Sequence, residues 1–139
     1  MPITQSDVLY TAVATAENGR DGRVATDDGR LDVVVNPPKE MGGSGSGTNP
    51  EQLFAAGYSA CFQGALGVVA RQEGTDVSRS TVTARVGIGG NDEGFGIIVE
   101  ISAHIPDVDA ATAKALVEKA HQVCPYSKAT RGNISVTLV

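Results

Sequence analysis

Cys61 and Cys124 are the only sulfhydryl groups in this chain of 139 residues, and they hold most of the chemistry it could perform. A thiolate is both a nucleophile and a metal ligand. Cys61 falls between Ala60 and Phe62 in a long apolar stretch, while Cys124 stands directly before Pro125-Tyr126-Ser127. Three roles are open to such a pair: inert core thiols, metal ligands, or a working redox couple. One thiol on a rigid helix and a second at a helix end suit attack followed by resolution. Cys61, His104, His121 and Cys124 would be enough ligands for zinc, and His121 and Cys124 share a helix face. Against zinc, Cys61 has no neighbouring ligand and no Cys-x-x-Cys occurs. His104 lies among apolar residues, and a histidine in a last helical turn is accounted for by the helix dipole. We therefore expect no metal.

Met41 to Thr48 is rich in glycine and invites a phosphate reading, but Thr48-Asn49 stands where a phosphate loop needs Lys followed by Ser or Thr. A flexible loop that caps a pocket accounts for it better.

The remaining elements must position these groups. Val8 to Thr15 alternates and reads as a first strand, with turn signals at Asn18-Gly19 and Asp21-Gly22. Arg23 to Thr26 and Leu31 to Val35 read as two more strands, and Pro37-Pro38 ends the last. Thr48 or Asn49 then caps a helix with Pro50 at its first position and Glu51 in its first turn. It should run to about Glu73, with Gly74 as its stop. From Phe54 to Ala70 it is apolar nearly all round, the mark of a buried helix. Val82, Ala84, Val86 and Ile88 alternate with polar neighbours, Gly89 to Gly94 is a hairpin loop, and Phe95, Ile97, Val99, Ile101 and Ala103 share one face of the return strand. Asp107 or Asp109 caps a second helix with a Leu116, Ala120, Val123 stripe, which Pro125 breaks or redirects. Ile134, Val136 and Leu138 form a last strand. The order predicts an α+β fold, mainly antiparallel sheet against helices, as a single domain over residues 1–139.

Composition narrows the partners. Hydrophobic residues make up 41% and charged residues 19%, so the chain reads as globular. Aromatics are 4% with no Trp, which leaves the core to Val, Ile, Leu and Ala. The net charge is −5 and the 11 basic residues are scattered, so nucleic acid is not an expected partner. The N-terminus carries no basic and apolar leader, and no apolar run approaches the ~20 residues of a membrane span. The expected compartment is the cytoplasm, where structural disulfides are rare.

The residues carry a family pattern. Thr48-Asn49-Pro50-Glu51-Gln52-Leu53-Phe54-Ala55-Ala56-Gly57-Tyr58-Ser59-Ala60-Cys61-Phe62 resembles the first signature of the organic hydroperoxide resistance (Ohr) proteins of the Ohr/OsmC family. Val123-Cys124-Pro125-Tyr126-Ser127-Lys128-Ala129-Thr130-Arg131-Gly132-Asn133-Ile134 resembles the second. Asn18-Gly19-Arg20-Asp21-Gly22 resembles the family's arginine loop, and Gly87-Ile88-Gly89 with Gly94-Phe95-Gly96 also fits. The resemblance spans essentially the whole chain. It implies an OsmC-like fold in an intertwined homodimer, with sheets wrapped around central helices. It implies a cysteine peroxidase for organic hydroperoxides with no bound cofactor, re-reduced by dihydrolipoamide or a lipoylated protein.

The roles follow from that resemblance. Cys61 would attack the peroxide and Cys124 would resolve the sulfenic acid as a disulfide. A free thiol ionises near pH ~8.5 and needs a neighbouring cation. Cys61 sits too deep in its helix to feel the N-terminal dipole, so the matching Arg20 would supply the charge, with Glu51 holding its guanidinium. Glu51 precedes Cys61 by ten residues, ~15 Å along one helix. One arginine is therefore expected to meet both only across the dimer. Leu53, Phe54, Tyr58, Phe62, Phe95 and Tyr126 are candidates to line an apolar pocket that favours alkyl and lipid hydroperoxides, at ~0.8 kcal/mol per CH₂. The alternative is a non-enzymatic thiol redox sensor or binding module of the same fold.

Overall fold

The computed structural model describes every residue, Met1–Val139. The chain forms two compact units, Met1–Pro50 and Glu51–Val139.

The first unit is an antiparallel meander of β1 (Ala14–Glu17), β2 (Gly22–Thr26) and β3 (Asp32–Val35). The first strand begins later than the alternation from Val8 suggests. The β1 ladder opens at Ala14 opposite Thr26, and Leu9 and Tyr10 stand exposed. One turn, not two, joins β1 to β2. Asn18 and Gly19 both adopt left-handed φ, 59° and 58°, as the favoured hairpin turns require. The Asn18 side-chain amide donates to the Asp21 carbonyl at 2.7 Å, and Asn36 donates to the Asp21 carboxylate at 2.8 Å. Arg20 is thus carried on a turn pinned from both ends. The glycine-rich segment is also pinned, which corrects its reading as a flexible cap. The amides of Gly43 and Gly45 donate to the carbonyls of Pro38 and Pro37 at 3.1 and 3.0 Å, and Thr48 makes a parallel bridge with Val35.

The second unit opens with α1 (Pro50–Gln72). Pro50 takes the first helical position, where its missing N–H costs nothing. Gly74, at φ 69°, ends the helix as expected. β4 (Thr81–Asn91) and β5 (Gly94–His104) form a long antiparallel pair. They run further than the sequence suggests, because Gly89-Gly90 continue the ladder and only Asp92-Glu93 turn. β6 (Val136–Leu138) adds to β5 in parallel, so the sheet is mixed, in the order β4-β5-β6. Asp109 caps α2 (Ala110–Val123), accepting from the Thr112 amide at 3.1 Å. Cys124 ends α2 and begins α3 (Pro125–Thr130), so Pro125 redirects the chain into a further short helix that the sequence reading missed.

Apolar faces of α1, α2 and the sheet make one core. Tyr58, Phe62, Leu66, Val69 and Ala70 of α1 meet Val99 and Ile101 of β5 and Leu116 and Ala120 of α2. Full burial of a leucine or phenylalanine contributes ~1.5–3 kcal/mol. Val123, expected in the α2 stripe, is 43% exposed, and fully buried Cys124 joins the core in its place. Within this single chain α1 is buried on one side only. Ala56, Ala60, Gly64 and Val68 lie on an exposed stripe at four-residue spacing. By length and mean hydropathy alone, 1.5, α1 does reach the range of a membrane span. The apolar core helix of a folded protein meets the same criterion, and the buried face of α1 packs in this core.

Candidate functional site

Cys61 and Cys124, 63 residues apart in sequence, are brought together with their sulfurs at 3.7 Å, and both are free thiols. The elements explain the approach. Cys61 sits one turn after Tyr58 on the buried face of α1, and Cys124 occupies the break that Pro125 enforces between α2 and α3. Their accessibility differs: Cys61 is half-buried and Cys124 fully buried. A disulfide needs ~2.05 Å, so the sulfurs must close by about 1.6 Å to bond.

Burial pushes the Cys61 thiol above its ordinary range, the backbone N–H of Tyr126 bonded to it pulls the other way, and the Cys124 thiol adds to the rise. The two sulfurs compete for the proton between them. A proton held by Cys124 steadies a Cys61 thiolate, while a proton held by Cys61 opposes one. The sulfurs are within hydrogen-bonding distance and either thiol can donate to the other. The Cys61 side chain is the more exposed of the two and receives the Tyr126 N–H. That N–H belongs to the first turn of α3, where amides lack intrahelical partners.

An aromatic cluster stands beside the thiols. The Phe54, Tyr58 and Tyr126 rings lie within 5.6–6.1 Å of one another, tilted or edge to face. Gly57 lets Tyr126 come close, since a Cβ there would lie 2.8 Å from the Tyr126 hydroxyl. Phe62 is fully buried and packs near His121, with centroids at 6.5 Å. Leu53 is half-buried on α1. Phe95 stands apart, 78% exposed on the β4–β5 hairpin, where it lines a groove with Asn133 and Ile134. Glu51 lies in the first turn of α1, and Arg20 in the turn of the first unit.

Sequence reasoning missed a buried polar network under the thiols. The Tyr58 hydroxyl meets Ser127 Oγ at 2.8 Å and Thr130 Oγ1 at 3.1 Å, and Ser127 Oγ meets His121 Nδ1 at 2.8 Å. The Arg131 guanidinium donates to the His121 carbonyl at 2.6 Å. Burial, with Arg131 assisting, holds the His121 imidazole below its ordinary pKa. The available signal was Ser127, three residues after Cys124 within the second signature. His104 and His121 form no ligand set with the cysteines, since no three His, Cys, Asp or Glu side chains converge.

The OsmC-like protein family matches residues 43–139. The organic hydroperoxide resistance protein of Xanthomonas axonopodis pv. citri is 55% identical over 133 residues, covering 94% of each chain. This chain belongs to the OsmC-like family, in its Ohr branch. Solved structures agree. The Ohr protein of Elizabethkingia anophelis is 53% identical with a TM-score of 0.89, covering 94% of this chain and 95% of that one. OhrB of Bacillus subtilis is 44% identical with a TM-score of 0.86, covering 94% and 98%. The α+β OsmC-like fold expected from the Ohr signatures is the fold observed.

Proposed function

We propose that this chain is a thiol peroxidase that reduces organic hydroperoxides to alcohols. The observation that carries the reading is the pair of free thiols at 3.7 Å, one half-buried and one fully buried. The Cys61 thiolate attacks the terminal oxygen of R–O–OH. The O–O bond breaks, Cys61 becomes S–OH, and the alkoxide leaves to take a proton from solvent. Cys124 then attacks the Cys61 sulfur. Cys124 gives up its thiol proton as its sulfur attacks, the S–O bond breaks as the S–S bond forms, and the departing hydroxide takes up a proton, so a disulfide forms and water leaves. A dihydrolipoyl dithiol, free or on a lipoylated protein, restores both thiols by exchange and becomes a disulfide itself.

Burial raises the Cys61 thiol within its own unit, so a cation is required, and Arg20 with Glu51 fills that role in this reading. The functional form is the intertwined homodimer, with Arg20 and Glu51 of one chain serving Cys61 of the other. The exposed small-residue stripe of α1, Ala56, Ala60 and Gly64, supports this, because helices pack closely where side chains are short. The apolar cluster of Phe54, Tyr58 and Tyr126 favours peroxides with an organic group. The reading places the protein in the cytoplasm, with no bound cofactor or metal and with neither nucleic acid nor membrane as a partner.

The test is steady-state turnover. Cumene hydroperoxide should be consumed many times over with dihydrolipoamide as reductant, and hydrogen peroxide poorly. Cys61→Ser should abolish this. Single-turnover consumption by wild type despite excess dithiol would favour a redox sensor instead.

A further inference from the structure

We propose that Ser127 is a positioning residue for the resolving thiol, tying together the helical turns that carry Cys61 and Cys124. The inference rests on the two-thiol cycle proposed above. Ser127 is fully buried, and its hydroxyl lies between Tyr58 Oη and His121 Nδ1, each at 2.8 Å. Tyr58 precedes Cys61 by three residues on α1, and His121 precedes Cys124 by three residues on α2. A spacing of three puts members of each pair one above the other on one helical face. The Ser127 hydroxyl therefore links the turn before one sulfur to the turn before the other.

All of these bonds can be made at once. With Thr130 Oγ1 donating to the Ser127 carbonyl at 3.3 Å, Tyr58 donates to Thr130, Ser127 to Tyr58, and His121 Nδ1–H to Ser127. Such closed buried networks are rigid, and removing one member affects all.

The need for such a device lies in α3. A six-residue helix has little stability of its own. Its buried side chains are Ser127 and Thr130, both polar, while Tyr126 is 39% exposed. Hydroxyl bonds therefore join the Tyr126 ring contacts in docking α3 against the rest of the unit. Cys124 is the first residue of this junction, and its carbonyl accepts from the Lys128 amide inside α3 at 3.0 Å. Loosening α3 would let the Cys124 sulfur drift, whereas Cys61 on the long helix α1 would stay in place. Resolution, which needs the Cys124 sulfur in place, should suffer far more than peroxide attack, which feels α3 only through the Tyr126 N–H.

The experiment follows the two half-reactions separately in full-length Ser127→Ala, by rapid quench with tert-butyl hydroperoxide and mass analysis. Formation of the Cys61 sulfenic acid should stay within about twofold of wild type. Disulfide formation should slow by roughly ten- to a hundredfold, as a misplacement of ~1 Å can cost, and sulfinic Cys61 should build up at excess peroxide. His121→Phe, which keeps a ring and removes the other half of the same link, should slow the same step if Ser127→Ala does not fold. An unchanged disulfide rate in either variant, or equal slowing of both steps, would overturn the inference. Absence of any disulfide in the wild-type protein would instead overturn the two-thiol cycle beneath it.

Discussion

Tyr58→Phe isolates the polar part of the site from its packing. The ring keeps its place against Phe54 and Tyr126, at centroid distances of 6.0 and 5.6 Å. What disappears is one fully buried hydroxyl with two partners, Ser127 at 2.8 Å and Thr130 at 3.1 Å. Thr130 retains its bond to the Ser127 carbonyl. Ser127 loses the acceptor for its proton, and a buried donor left unpaired costs ~1–3 kcal/mol. Part of that is recoverable, because His121 can change tautomer and accept from Ser127 through Nδ1. The net loss should therefore be about 1–2 kcal/mol. It should appear as a fall in urea midpoint at constant m-value, and as a lower thermal midpoint by on the order of 4 °C per kcal/mol. A double-mutant cycle with Ser127→Ala supplies the decisive number. The two residues share the bond, so their effects should fall short of additivity by about 1 kcal/mol or more. Strict additivity would refute the network, whatever the size of the single effects.

Other consequences concern charge and space. Arg20→Ala should slow oxidation of Cys61 by on the order of a hundredfold at neutral pH. Because burial holds this thiol above its usual range, the residual rate should climb as pH rises beyond ~8.5; a pH-independent rate near wild type would remove Arg20 from the mechanism. His121 has a depressed pKa, so below ~6.5 the unfolded chain binds more protons than the folded one. Stability should therefore be full above that pH and fall as the solution is acidified, and His121→Asn should flatten the decline between pH 7 and 5 in thermal melts. Gly57→Ala would gain about 1 kcal/mol of helix preference, yet its Cβ would press on the Tyr126 hydroxyl at 2.8 Å. The expected result is no gain in midpoint and a slower Cys61 oxidation; a stabilised variant with unchanged rate would show that Tyr126 moves aside freely.

The elements most legible in the sequence were those whose pattern has one physical cause. Alternation in β4 and β5 was readable because one face of the pair is buried, and Asp109, Pro50 and Gly74 marked helix ends through their backbone chemistry. The Val8 to Thr15 alternation misled because pattern alone does not supply a partner strand, and pairing begins only at Ala14. α3 escaped notice because six residues show too little periodicity to register. Cys61 and Cys124 were visible as candidates, but their approach is a tertiary fact spanning 63 residues. The hydroxyl network was less visible still. Tyr58 lies 69 and 72 residues from Ser127 and Thr130, and serine and threonine are usually exposed. Only their shared burial reveals that they act together.

The central claim is that the two sulfurs join during the cycle. Reduced protein should be treated with one equivalent of cumene hydroperoxide and its peptides mapped without reductant. The predicted result is loss of both thiols with a Cys61–Cys124 peptide formed within one chain. Oxidised Cys61 beside an untouched Cys124 thiol, or a link between Cys61 residues of separate chains, would contradict it.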